Sequence, residues 1–362
     1  MWTDTAAARL LQMRYPIVQG PFGGGLSSVE LTAAVSNLGG LGSFGAQSFA
    51  PKEIKDIAAR IRSRTDAPFA MNLWVDNADS AMAEFDSRSF DRQLDRLRPH
   101  YAALGLDPPE YPERFGRNFD EQVEALIEAA PPVFSFVFGI PSQDIIRACR
   151  SRGILTVGNA TTVEEARAIE AAGIDLVVAT GFEAGGHRVS FLQRPEMCLT
   201  GTFALVSQVR DAVGIPVIAA GGIAGGRGIA AALTLGADGA QLGTAFLACH
   251  ESGASSLHRS VLFSEQARHT MLTTAYSGRL ARVIRNRFSE EMTAHAEPVP
   301  YPAGIWFANS LSAPAIEQGR SGMIWVQAGQ TASLLRHHSV EGLFPDLVAE
   351  TELAFRTAPS RG

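Results

Sequence analysis

Apolar residues gather in eight short runs, at 15–18, 41–44, 69–73, 133–138, 154–157, 175–179, 216–219 and 240–242. Most are near-continuous and rich in β-branched residues, the pattern of strands covered on both faces. Helical signals follow most of them. Thr161-Thr-Val-Glu164 reads as a capping box, and the helix it opens runs to Gly173, a residue suited to the position just past a helix end. Ser142 opens another helix that ends before Gly153, and a third spans 201–213 before Gly214. The repeating unit is strand, turn, amphipathic helix, glycine, next strand.

Eight such units predict an α/β fold, a (β/α)8 TIM barrel, with a doubly wound sheet as the alternative; both place ligands at the carboxyl ends of the strands. Two gaps are long. The insertion after the third run, about 75–117, is rich in charge, aromatics and proline and reads as a helix and loop over one barrel end. The gap after the sixth run reads as a long glycine-bearing loop. The expected organisation is a barrel over 1–250, a helical lobe over 251–321 that includes GRLARVIRNRF, and a segment over 322–362 that returns to the barrel rim and ends in a helix over 345–355.

With 362 residues, 46% apolar and 19% charged, the chain has enough apolar surface for a sizeable core. A barrel of about 250 residues leaves roughly 110, which the insertion and the lobe absorb. Lys and Arg number 31 against 37 Asp and Glu, a net charge of −6 without a long basic run, which argues against nucleic acid as a partner. Cys149, Cys198 and Cys249 are too widely spaced for a disulfide framework or a metal site. No signal peptide or long uncharged apolar stretch is visible, so the expectation is a cytoplasmic protein without a membrane partner. Nothing in this excludes a homo-oligomer.

Glycine is where composition points to chemistry. Of 35 glycines, eight lie in 20–45 and thirteen in 181–243. Gly40-Leu-Gly42-Ser-Phe-Gly45 matches a dinucleotide-binding pattern but lies across a strand, where a pyrophosphate could not use it. Gly221, Gly222, Gly225 and Gly226 follow the seventh run, and Gly243-Thr244 follows the eighth. In a barrel those two loops with a helix N-terminus form a phosphate site; ordinary turn glycine is the competing reading. After the sixth run, Glu183-Ala-Gly-Gly-His-Arg188 puts His187 on a carboxyl-end loop, the place for a proton-transfer group. Glu183 is expected to fix that loop by accepting backbone hydrogen bonds. His100, His250, His258, His269, His295, His337 and His338 lie in polar or helical text and are expected at the surface. The run 19–25 and Met71-Asn72 close two further strands at the same end, and the Asn72 amide could donate to and accept from a heteroaromatic ring.

These pieces together resemble the nitronate monooxygenase family, formerly 2-nitropropane dioxygenases, over roughly 14–250 and again at MIWVQAGQTA; EAGGHR and AAGGIA…QLGT are the most specific motifs. The resemblance implies FMN as cofactor, His187 as catalytic base, and FMN contacts at Asn72, Thr180, Gly185, Gly222, Gln241, Leu242, Gly243, Thr244 and Gln330. It further implies oxidation of alkyl nitronates, with nitroalkanes as further candidates, by O2 to a carbonyl compound and nitrite through an anionic flavin semiquinone. Thr180, where the family often has Gln, and Val189, where Gly often follows the His-Arg pair, depart from the pattern. The competing readings are an FMN-dependent enoyl-thioester reductase, which shares the barrel and the E-A-G-G-H loop, a non-redox barrel binding a phosphorylated ligand, and a flavin-binding protein without turnover.

Overall fold

The computed structural model describes residues 1–75, 78–294 and 297–357. The strands in chain order are β1 (Ile17–Gln19), β2 (Gly42–Gly45), β3 (Phe69–Trp74), β4 (Val133–Val137), β5 (Leu155–Ala160), β6 (Leu176–Thr180), β7 (Gly186–His187), β8 (Val217–Ala220), β9 (Gly239–Leu242), β10 (Thr270–Thr273) and β11 (Ala281–Ile284). Eight of them form one parallel sheet in the order β1-β9-β8-β6-β5-β4-β3-β2, and a parallel bridge between Val18 and Leu41 joins its two edges into a ring. Each apolar run read from the sequence supplies one barrel strand, within a few residues.

Strand alternation divides the apolar residues between two cores. Leu176 and Val178 join Val18, Ala70, Val157 and Ile218 inside the barrel, together with Ala7 of the N-terminal helix Ala6–Leu10 and Leu11, its C-cap. Val177 and Ala179 face outward into the layer shared with the surrounding helices. Gly42 and Gly45 belong to this packing and not to a nucleotide loop: a Cβ at Gly42 would lie 1.9 Å from the Thr32 carbonyl oxygen.

The insertion holds a helix at Ser87–Ala103, and it packs into the C-terminal lobe. Phe90 lies against Trp306 and Phe307 of the helix Ala303–Glu317, and the Tyr101 and Ser310 hydroxyls are 2.6 Å apart. The lobe is not wholly helical. Its GRLARVIRNRF segment contains β11, which pairs antiparallel with β10 on one side and with β7 on the other. The helical expectation yields here because β11 finds ladder partners on both sides, four residues of β10 and two of β7. The closing helix also starts earlier than expected, at Val340, and carries Pro345 within it. Residues 76–77 of the insertion, 358–362 of the closing segment, and His295 lie outside the described residues.

Candidate active site

A cavity of about 320 Å³ opens at the carboxyl ends of the barrel strands. Its floor comes from strand ends and its roof from the lobe. Seven of the expected contacts line it through β3, β6, β8, β9 and the loops that follow: Asn72, Thr180, Gly185, Gly222, Gln241, Gly243 and Thr244. Asn72 donates from Nδ2 to Ser135 Oγ at 3.0 Å. Gly221 and Gly222 have φ of +101° and +70°, so the backbone past β8 takes a path that favours glycine.

Three of the expected placements lie off the cavity wall. Leu242 sits in the core, because its neighbour Gln241 faces the cavity and alternation turns Leu242 away; its carbonyl accepts from Gly20. Gln330 is exposed and donates its backbone N–H to the Glu183 carbonyl, while Gly329 supplies the wall. Gly225 and Gly226 start a helix, Gly226–Thr234, but Glu350 of the closing helix accepts from the Gly226 N–H at 2.9 Å and occupies that helix end. The glycine cradle on the cavity is therefore Gly221, Gly222 and Gly243, not the whole run.

His187 is held by a sheet and not by a free loop. Gly186 pairs with Arg282, and His187 with Ala281. Gly185 lets this segment lie against the returning chain, since a Cβ there would come within 2.5 Å of the Ala328 and Gly329 backbone. Arg188, fully buried, donates to the carbonyls of Thr180, Gly181 and Cys198 at 3.1, 2.8 and 2.8 Å, which ties the segment back to β6. Glu183 accepts from the Thr202 N–H and hydroxyl, as its place in the loop suggested.

The imidazole lines the cavity between Trp74, Phe138 and Trp325, with ring centroids 4.9, 5.9 and 5.3 Å away. Nε2 is 2.7 Å from Ser277 Oγ. Burial, and next the positive charge of Arg279, push its pKa down to about 3, so the ring is neutral at physiological pH. The Arg279 guanidinium lies 4.4 Å from the centroids of Phe138 and Tyr301 and donates to Asp79 at 2.7 Å. Val189 packs with Trp74, Val137, Phe138 and Tyr301 in the apolar wall beside it. Among the described residues no cysteine lines the cavity, and burial holds Cys149 and Cys249 up at about 11 and about 12.

Sequence reasoning missed Gln47, Asn159, His258 and Trp325, which also line the cavity. Among the described residues, eight buried side-chain polar atoms lack a hydrogen-bond partner, and five belong to cavity residues: Gln47, Asn159, Thr180, His258 and Trp325. Such atoms are costly unless something pairs with them, so their concentration marks the cavity as a polar ligand site. His100 and His258, expected at the surface, are buried. His258 lies in the helix Ser256–Leu262, and burial pushes its pKa down to about 4.

The fold and this mouth define a (β/α)8 enzyme with a cradle for a polar ligand beside a neutral histidine. The description "Nitronate monooxygenase" belongs to the family model that matches residues 4–350. A probable nitronate monooxygenase of Staphylococcus aureus is 37% identical over 350 residues, covering 96% of this chain and 97% of that protein. A nitroalkane oxidase from Streptomyces ansochromogenes superposes with a TM-score of 0.89 at 36% identity, covering 98% of this chain and all of that one. FabK from Thermotoga maritima is more distant, with a TM-score of 0.76 at 28% identity over 98% of this chain and 97% of its own. The chain belongs to the nitronate monooxygenase family and is an oxidoreductase.

Proposed function

We propose that this enzyme oxidises alkyl nitronates with FMN and O2 to a carbonyl compound and nitrite, and that His187 is the base that lets it accept nitroalkanes. The observation that carries the reading is a neutral, sheet-anchored imidazole on the wall of a cavity whose polar atoms await a ligand. Nitronate monooxygenases are flavin-dependent in general. The residues present fit FMN: Gly221, Gly222, Gly243 and Thr244 would hold its phosphate, and Asn72, Gln47, Asn159 and Thr180 offer amide and hydroxyl groups for its polar ring edge. When bound, FMN supplies the electron acceptor that passes electrons on to oxygen.

His187 is a weak base by itself, because the imidazolium is disfavoured in this wall. Proton transfer from a nitroalkane creates an anion beside that cation, which offsets part of the cost. Arg279, behind the wall, also favours negative charge there. Nitronates, which arrive ionised, need no base and should be the better substrates. Trp74, Val189 and Trp325, which line the cavity, would shield the reacting carbon from water.

An absorbance spectrum of the purified protein and flavin analysis after denaturation test the cofactor. Oxygen uptake with propyl nitronate, compared with anaerobic addition of NADPH, tests the reaction. Rapid flavin bleaching by NADPH alone would favour an enoyl-thioester reductase, and a colourless protein would remove the redox reading. His187→Asn should injure nitroalkane turnover by about a hundredfold or more, the usual contribution of a general base, while nitronate turnover is largely kept. Equal losses on both substrates would remove His187 from the base role.

A further inference from the structure

We infer that Ser277 is a positioning residue that holds His187 in the tautomer protonated on Nε2, leaving Nδ1 bare for the substrate proton. This rests on the reading of His187 as base. Ser277 Oγ lies 2.7 Å from His187 Nε2, 3.2 Å from the Arg279 carbonyl oxygen, and 3.3 Å from the Arg279 N–H that points at it. A serine hydroxyl has one proton to give and two lone pairs. If it donates to the Arg279 carbonyl, both lone pairs are used, one by the Arg279 N–H and one by an Nε2–H of the ring. All three contacts are then hydrogen bonds.

With the ring proton on Nδ1 the hydroxyl must turn to donate to Nε2, and the carbonyl contact is forfeited. Ser277 is buried, so water cannot replace it. Among the described residues no hydrogen bond to Nδ1 is made, which leaves it as the ring nitrogen available to a ligand in the cavity that His187 lines.

The hydroxyl is itself held from both sides. Its backbone partners belong to Arg279, whose guanidinium donates to Asp79 and lies over the rings of Phe138 and Tyr301. Asp79 in turn accepts from the Tyr301 N–H at 2.8 Å. The loop between β10 and β11 is thereby fastened to the barrel insertion at the residue that orients the base.

Nitrogen-15 spectra of the histidine-labelled flavin-loaded enzyme, with the His187 signals assigned by their loss in His187→Asn, read the tautomer directly. A protonated Nε2 and unprotonated Nδ1 are expected in the native enzyme, and mixed tautomers in Ser277→Ala. Turnover gives the second readout. Ser277→Ala should lose at least about tenfold in kcat for 2-nitropropane, the low end of what is lost when a partner orienting a functional histidine is removed, with propyl nitronate turnover essentially kept and Ser277→Thr restoring part of the loss. A native signal protonated at Nδ1 overturns the assignment whether or not Ser277→Ala folds. Equal losses on both substrates, unrescued by threonine, overturn it as well. Failure of the base reading looks different: His187→Asn would keep nitroalkane turnover while the Nε2 proton stayed in place.

Discussion

A histidine that stays neutral by burial leaves a mark on stability as well as on chemistry. His187 and His258 ionise in the folded protein near about 3 and about 4, against 6.5 for a free side chain. As pH falls below 6.5 the unfolded chain takes up protons that the folded one refuses, so stability is greatest above that value and declines towards about 4. Each histidine contributes a slope of up to about 1.4 kcal/mol per pH unit. Urea unfolding at pH 7 and pH 5.5 should show the decline, and His187→Asn should flatten it. An unchanged slope in that variant would mean that the ring is not held neutral. At this scale the sequence singled out His187 through its glycine neighbours. It could not separate His100 and His258 from the exposed histidines, because all sit in polar helical text and only the packed neighbour decides burial.

Helix starts show how far local patterns reach. The capping box expected at Thr161 to Glu164 does not form: Thr162 is the N-cap of the helix Val163–Ala171 and accepts from the Glu165 N–H, while the Glu165 carboxylate reaches the N–H of Thr161 and not that of the N-cap. Glu165, not Glu164, is buried, and its carboxylate accepts from the Thr161 N–H and hydroxyl and from the N–H groups of Phe191 and Leu192. It fastens the chain just beyond β7 to the helix start after β5. Glu165→Gln, which replaces one accepting oxygen by a donor, should destabilise by on the order of 2 kcal/mol and speed amide exchange at 191–192. Glu164→Gln, at an exposed position, should leave the urea midpoint unmoved. The helix was legible from capping chemistry; the carboxylate's second task was not, because residues 191–192 reach it only through the fold.

At the scale of the whole molecule the insertion and the lobe form one roof, although they are far apart in the chain. Phe90 packs on Phe307, Gln318 donates to the Leu104 carbonyl at 2.8 Å, and Asp79 pairs with Arg279. The last contact joins the roof to the wall around His187. Asp79→Asn weakens the ion pair while keeping an acceptor for the Tyr301 N–H. It should raise amide exchange in 78–86 and 297–306 without changing exchange in the barrel strands. A uniform rise across the chain would show instead that the pair supports the barrel itself. Among the described residues no helix is long and apolar enough to cross a membrane.

The sequence by itself determined the eight barrel strands, the helix starts at Ser142 and Gly201 and the glycines past β8 and β9, because strand burial, capping and positive φ are short-range properties that a few adjacent residues encode. Only the tertiary structure decided that Glu350 takes the helix end at Gly226, that Leu242 turns into the core, and that a strand in the lobe holds β7. It also decided the state of His187. Neutrality and tautomer are set by Trp74, Phe138, Ser277, Arg279 and Trp325, which meet around one ring from distant parts of the chain. Desolvation and hydrogen-bond direction depend on what surrounds a group in space, and no local pattern carries that information.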